Sequence, residues 1–267
     1  MKHLLRPLSS NNPRVKLLGR LARRRRDRDE QRALLVEGPM LLEAALDAQV
    51  GIRDVYLSEE RAADERVLSL LDRLDPGTSC WVVPAEAIDR AGDAVTSQGL
   101  LAVVDQQDPP LPEASEAGFV LVLVDVADPG NAGTVIRAGV AAGADAVVVV
   151  AGADPTAPKV LRASAGACFS VPIVRRSESS EALAELSSAG YELMGTVVAG
   201  GRDHTSADLT GPVAIVVGNE ARGLSEDDAA RLDQRLTISM AGPTESLNVA
   251  MAATILVFEV LRQRRQP

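Results

Sequence analysis

Cysteine, histidine and aromatic residues are all scarce in this chain. Its 267 residues include two Cys, two His, one Trp, two Tyr and three Phe. Cys80 and Cys168 lie far apart, and with so few histidines no recognised four-ligand zinc spacing can be assembled. A reduced, metal-free protein is expected. The aromatics are too few for the stacking platform of general single-strand binders. No apolar run is long enough to cross a bilayer, and none of signal type follows the basic N-terminus, so a cytoplasmic protein without membrane contact is expected. The chain also lacks a G-x-x-x-x-G-K-[ST] loop, and Gly130-Asn-Ala-Gly133 does not have G-x-G-x-x-G spacing. Neither ATP nor NAD is favoured. The 15 prolines and 21 glycines are dispersed, so no low-complexity tract is present.

What is present begins with an uneven charge. The net charge is −9, yet residues 1–32 carry eleven Lys/Arg against three acids, a local +8 that leaves −17 on the remainder. Local fields rather than totals steer polyanions. The segment reads either as a solvated basic helix face or as a surface for a polyanion, with Arg14, Lys16, Arg23, Arg24, Arg25 and Arg32 as candidate contacts.

With 46% hydrophobic residues the chain can bury a sizeable core, and short strands alternate with helices along it. From Asn12 to about Arg25, Val15, Leu17, Leu18 and Leu21 follow a helix-compatible pattern. Strands are predicted at 33–36, 55–57, 80–83 and 100–104, with helices at 39–48 and about 67–74. Pro109, Pro110 and Pro112 then mark a linker over 107–117 between an N-terminal domain, 1–106, and a second domain, 118–267. The second domain opens with the apolar run Phe119–Asp125, the pattern of a central parallel strand. A helix is predicted over about 132–142, then strands at 146–150, 171–174, 193–198, 213–217 and 236–240. The last helix, predicted at 247–261, is apolar nearly all round, which implies burial or a subunit interface. Isolated His204 reads as a surface residue and Cys168 as a small buried one.

Three segments carry chemistry: Asp125-Val-Ala-Asp-Pro-Gly-Asn131 with Arg137 beyond it, Gly218-Asn-Glu-Ala-Arg-Gly-Leu-Ser225, and Ile238-Ser-Met-Ala-Gly-Pro-Thr-Glu-Ser-Leu-Asn-Val249. Each follows a predicted parallel strand, where open α/β sheets bind ligands, so all three should converge on one crevice. Gly218 and Gly223 permit close backbone approach to a flat ligand. Thr244 or Ser246 is expected to cap the last helix. Arg137 could direct a permanent positive charge toward the same mouth.

In order and separation, these blocks are similar to the three motifs of the SpoU/TrmH family of RNA 2′-O-ribose methyltransferases. The resemblance covers about 119–262 and includes Pro158-Lys-Val-Leu-Arg-Ala-Ser-Ala-Gly166. It implies an α/β fold whose parallel-sheet C-terminal domain carries a deep trefoil knot. The Leu35-Val-Glu-Gly38 run resembles the family's small, ribosomal-protein-like α/β substrate-binding domain. S-adenosylmethionine (AdoMet) is the implied cofactor, held near Thr196, Gly218, Asn219, Ile238, Met240 and Leu247. The implied catalytic set is Asn131, Arg137, Glu220, Ser246 and Asn248. The implied partners are RNA, with 23S ribosomal RNA favoured over tRNA, and a second copy in a homodimer. Lys159 and Arg162 join the basic N-terminal residues as substrate contacts. Arginine stays protonated in proteins, so Arg137 is expected to stabilise the developing oxyanion while an RNA phosphate or water takes the proton. Two positions depart from the family: Ser239 stands where proline is usual, and Met40 where a basic residue is. A tRNA enzyme, a base methyltransferase and a non-catalytic RNA-binding protein remain as alternatives.

Overall fold

The computed structural model describes residues 4–94 and 96–265. The chain forms two compact units, 1–107 with 156–169, and 108–155 with 170–267.

The first unit runs β1 (Leu5–Pro7), α1 (Pro13–Arg23), α2 (Arg25–Gln31), β2 (Ala33–Glu37), α3 (Pro39–Asp47), β3 (Ile52–Leu57), α4 (Glu59–Ala62), α5 (Glu65–Leu71), β4 (Ser79–Val82), α6 (Ala85–Ala91) and β5 (Leu100–Asp105). Its five-stranded sheet has the order β1-β4-β3-β5-β2, with β5 antiparallel to both neighbours. Asn12 caps α1, whose Val15, Leu18 and Leu21 pack with Ala87, Ile88 and Ala91 of α6 onto Leu35, Leu101 and Val103. The helix expected from Asn12 to about Arg25 is α1, which ends at Arg23; Arg24 is extended, and a second short helix, α2, starts at Arg25.

The second unit holds β6 (Phe119–Val124), α7 (Pro129–Ala141), β7 (Ala146–Val150), β8 (Ile173–Arg176), α9 (Ser179–Ser188), β9 (Glu192–Thr196), β10 (Arg202–Asp203), β11 (Val213–Val217), α10 (Glu226–Ala229), β12 (Gln234–Thr237) and α11 (Val249–Arg264). Its seven-stranded sheet is parallel throughout, in the order β10-β12-β9-β11-β6-β7-β8. β6, β7 and β11 are buried along their whole length, as their unbroken Phe/Val/Leu/Ile/Ala sequences require. At Gly139 an added Cβ would lie 2.6 Å from Leu121 Cδ2, so the glycine lets α7 approach the sheet closely.

Several expectations need correction. Residues 158–163 form a helix, α8, that packs in the first unit, where Arg162 pairs with Glu37 at 3.2 Å and Asp93 at 2.9 Å. Residues 108–117 are no free linker. Leu111 and Ala114 pack on the second unit's core, and Ala114 N–H donates to Ala189 O. The strand expected at 171–174 starts at Ile173, and His204 is mostly buried, with 15% of its side chain exposed. Both cysteines are free and buried, and burial pushes each thiol up to about 11. Among the described residues no helix is long and apolar enough to cross a membrane, and no group of acidic, His and Cys side chains could hold a metal ion.

Candidate active site

β6 and β11 are sheet neighbours, yet α7 carries the chain from β6 away to β7 on the other side. Loops after such adjacent strands diverge and leave a crevice at the carboxyl edge of the sheet. The Asp125–Asn131 and Gly218–Ser225 segments flank that point, because Val217 stands opposite Leu123 in register.

Glu220 ties the two segments together. Its Oε1 accepts from Asp128 N–H and Asn131 Nδ2, and its Oε2 from Ala127 N–H, each at 3.0 Å. Burial alone would raise its pKa. Hydrogen bonds from the Asn131 side chain and from the backbone of Ala127, Asp128 and Glu220 more than reverse this and hold the carboxyl at about 2. The third segment joins through Asn248 Nδ2, which donates to Asn131 Oδ1 at 3.1 Å. A second link runs beside the first: Asn219 Nδ2 donates to Asp125 O at 2.8 Å, and Arg222 pairs with Asp125 at 2.6 Å. Gly218 makes this hairpin tight enough, since a Cβ there would lie 2.4 Å from the backbone of Gly223.

The structure therefore brings together Asn131, Gly218, Asn219, Glu220 and Asn248. Asn131 is not in a turn before the helix but in the first turn of α7, which Asp128 caps. Neither Thr244 nor Ser246 caps α11. Asn248 does, accepting from Ala250 N–H at 2.8 Å. Ser246 is exposed and makes no hydrogen bond among the described residues. Arg137 is exposed about 9 Å further along α7 than Asn131, and its guanidinium has no hydrogen-bond or ion-pair partner among the described residues. Thr196 ends β9, and Ile238 and Met240 directly follow its neighbour β12, while Leu247 precedes the α11 cap. Val198 (66% exposed) and Met240 (37%) leave apolar surface uncovered just beyond these two strands.

Of the basic candidates, Lys16, Arg24 and Arg32 are exposed, and their side chains have no hydrogen-bond or ion-pair partner among the described residues; the same holds for Arg6 on β1. Arg14 pairs with Asp54 and lies 5.2 Å from the Trp81 ring centroid, Arg25 pairs with Asp29, and Arg23 donates to the carbonyls of Gly19 and Arg90. Lys159 is exposed on α8. Sequence reasoning missed Asp128 and Asp125, although Asp before Pro-Gly is itself a helix-start signal.

These features place hydrogen-bonded polar loops, rather than a nucleotide-type glycine loop, at the switch point of an open parallel sheet, where such folds bind ligands. The chain belongs to the SpoU rRNA methylase family, whose model matches residues 118–258. The model of an MRM3-like substrate binding domain matches residues 12–102. The 23S rRNA (guanosine(2553)-2'-O)-methyltransferase RlmP of Bacillus subtilis is 33% identical over 94% of this chain and 97% of its own length. Among solved structures, the SpoU methyltransferase AviRb from Streptomyces viridochromogenes, in complex with AdoMet, superposes with a TM-score of 0.88. It is 28% identical and covers 96% of this chain and 99% of its own. An AdoMet-bound rRNA methyltransferase from Sinorhizobium meliloti superposes at 0.84, with 30% identity and coverage of 97% and 98%.

Proposed function

We propose that this protein transfers the methyl group of AdoMet to a ribose 2′-hydroxyl of RNA, with 23S ribosomal RNA as substrate. The observation that carries this is the Glu220 carboxylate, which gathers two sheet loops and, through Asn131, the start of α11 around one crevice. The residues present fit the cofactor. Val198 and Met240 offer uncovered apolar surface for a purine, and Gly218 keeps side-chain bulk off the adjoining backbone. Thr196, Gly218, Asn219, Ile238, Met240 and Leu247 would hold it, and when bound it supplies an electrophilic methyl on a sulfonium. Arg137 keeps a permanent charge for the oxyanion that develops as the 2′-hydroxyl loses its proton, and an RNA phosphate or water accepts that proton. Asn131, Glu220 and Asn248 fix the loops, and the Ser246 hydroxyl remains available to the ribose. Incubation with labelled AdoMet and either 23S rRNA or tRNA, followed by alkaline hydrolysis, tests the assignment. Ribose methylation leaves an alkali-resistant dinucleotide in the rRNA arm, whereas label in mononucleotides, the mark of base methylation, or label only in tRNA overturns it.

Residues 1–106 bind the RNA. Lys16, Arg24 and Arg32 are the phosphate contacts, because their side-chain charges are not already committed among the described residues. Changing all three to Ala is expected to lower the slope of log K against log salt by about two to three, with affinity falling alike for related RNA sequences. An unchanged slope removes them from the interface.

We also infer a trefoil knot in the C-terminal part and a homodimer. The knot reading is supported by β11 lying between β9 and β6, and by α11 packing back on α7 and β11. The dimer reading is supported by α11, which buries Ala253, Leu256, Val257 and Val260 yet exposes Met251, Ile255 and Phe258 on one stripe. Phe258→Glu is expected to convert a dimer into a folded monomer in sedimentation velocity. A monomeric wild-type protein rules the dimer out. A cytoplasmic location accompanies the ribosomal substrate.

A further inference from the structure

We propose that Asp203 is a positioning residue for the methyl-donor loop, acting through Ser239. The inference rests on the AdoMet reading above and adds a pair of residues to it.

Residues 238–248 connect β12 to α11 without helix or strand, and they include Ile238, Met240 and Leu247. Such a stretch orders a ligand only if something orders the stretch. Near its end, Asn248 is fixed to Asn131. Near its start, Ser239 Oγ donates to Asp203 Oδ2 at 2.6 Å. Among the described residues, no other group from 238 to 247 makes a hydrogen bond, so the Ser239 tie is the only polar anchor at that end.

The acceptor is itself well placed. Asp203 ends the two-residue strand β10, paired with β12 through Arg202 opposite Leu236 and Asp203 opposite Thr237. β10 reaches that register because Gly201 has no side chain. A Cβ there would lie 2.6 Å from Thr237 Oγ1 and 2.8 Å from Arg235 O. Gly201 N–H instead donates to Thr237 Oγ1, which in turn donates to Val197 O just beyond Thr196. The second carboxylate oxygen of Asp203 accepts from the backbone and hydroxyl of Thr205, so both oxygens are oriented. Hydrogen bonds from Ser239 and Thr205 hold the carboxyl at about 2, and it remains an ionised acceptor at neutral pH. The carbonyl ends of β9, β12 and β10 are thereby laced into one support from which the loop departs. A proline at 239 would fix backbone φ directly. Here a side-chain hydrogen bond supplies the restraint.

Ser239 is exposed, so losing its hydroxyl leaves no buried orphan, and the effect belongs to loop order rather than to folding. If the untied loop is competent about a tenth of the time, the apparent dissociation constant rises about tenfold. Calorimetry of AdoMet binding to the full chain tests this with Ser239→Ala, Asp203→Ala, their double variant and Ser239→Thr. Each single alanine variant is expected to weaken binding about tenfold, the double no further, and threonine to restore it, with the melting temperature of the cofactor-free protein held within about 2 °C. In turnover assays KM for AdoMet rises while KM for RNA holds. Wild-type affinity in Ser239→Ala, or additive losses in the double variant, overturn the role of Asp203. No heat from wild-type protein overturns the methyl-donor reading itself, and this proposal with it.

Discussion

Arg137→Ala is expected to lower kcat by about 10²–10³ while leaving AdoMet affinity within about twofold. Ribose oxygen becomes anionic as it attacks, and a charge already in place stabilises that oxyanion without reorganisation at the moment of reaction. Arg137 suits this because its guanidinium is exposed and uncommitted among the described residues, while Asn131, on the same helix, is held by Glu220 and Asn248. Truncating Arg137 removes the charge and leaves the clasp intact, so binding and chemistry separate. Lysine keeps the charge but loses the planar fork, and Arg137→Lys should recover only part of the rate. Single-turnover kinetics with 23S rRNA, paired with calorimetry, give both numbers. A rate within threefold of wild type, with AdoMet bound normally, rules the oxyanion role out.

Much of this site was legible because its chemistry is compressed into three short segments. Apolar runs at 119–125, 146–150 and 213–217 mark parallel strands, and polar motifs directly after such strands must sit at the same edge of the sheet. What escaped was set by tertiary packing. β10 has two residues and pairs only at the sheet edge, so no alternation pattern announces it. Residues 156–169 follow the β7 strand in sequence but fold with the first unit, where Arg162 meets Glu37 and Arg28 reaches Thr156. Sequence order alone assigns that helix to the wrong partner. The start of α11 was misjudged by two residues because Thr244, Ser246 and Asn248 are all competent caps. The choice fell to Asn248, which can cap with its Oδ1 while its Nδ2 reaches Asn131.

Glu220→Ala is expected to lower kcat/KM by about 10–100-fold, through misplacement of loops rather than loss of a reacting group. Three donors, Ala127 N–H, Asp128 N–H and Asn131 Nδ2, lose their shared acceptor. Glu220 is exposed, so water replaces part of what is lost and the cost to folding stays near 1 kcal/mol. Glutamine has one acceptor oxygen where the carboxylate has two, so Glu220→Gln must turn an NH₂ toward a donor and should recover little. The pH dependence distinguishes this structural role from acid–base catalysis. The folded carboxyl is depressed to about 2 from the ordinary value of 4.5. Its stabilising effect is therefore complete above the ordinary value, declines as pH falls below it and is lost by about 2. Between pH 5 and 9 the carboxylate does not titrate, so wild-type kcat/KM should carry no acidic limb from this group. If the profile bends near pH 6, and Glu220→Gln removes the bend, Glu220 is transferring a proton and the positioning role assigned to it is wrong.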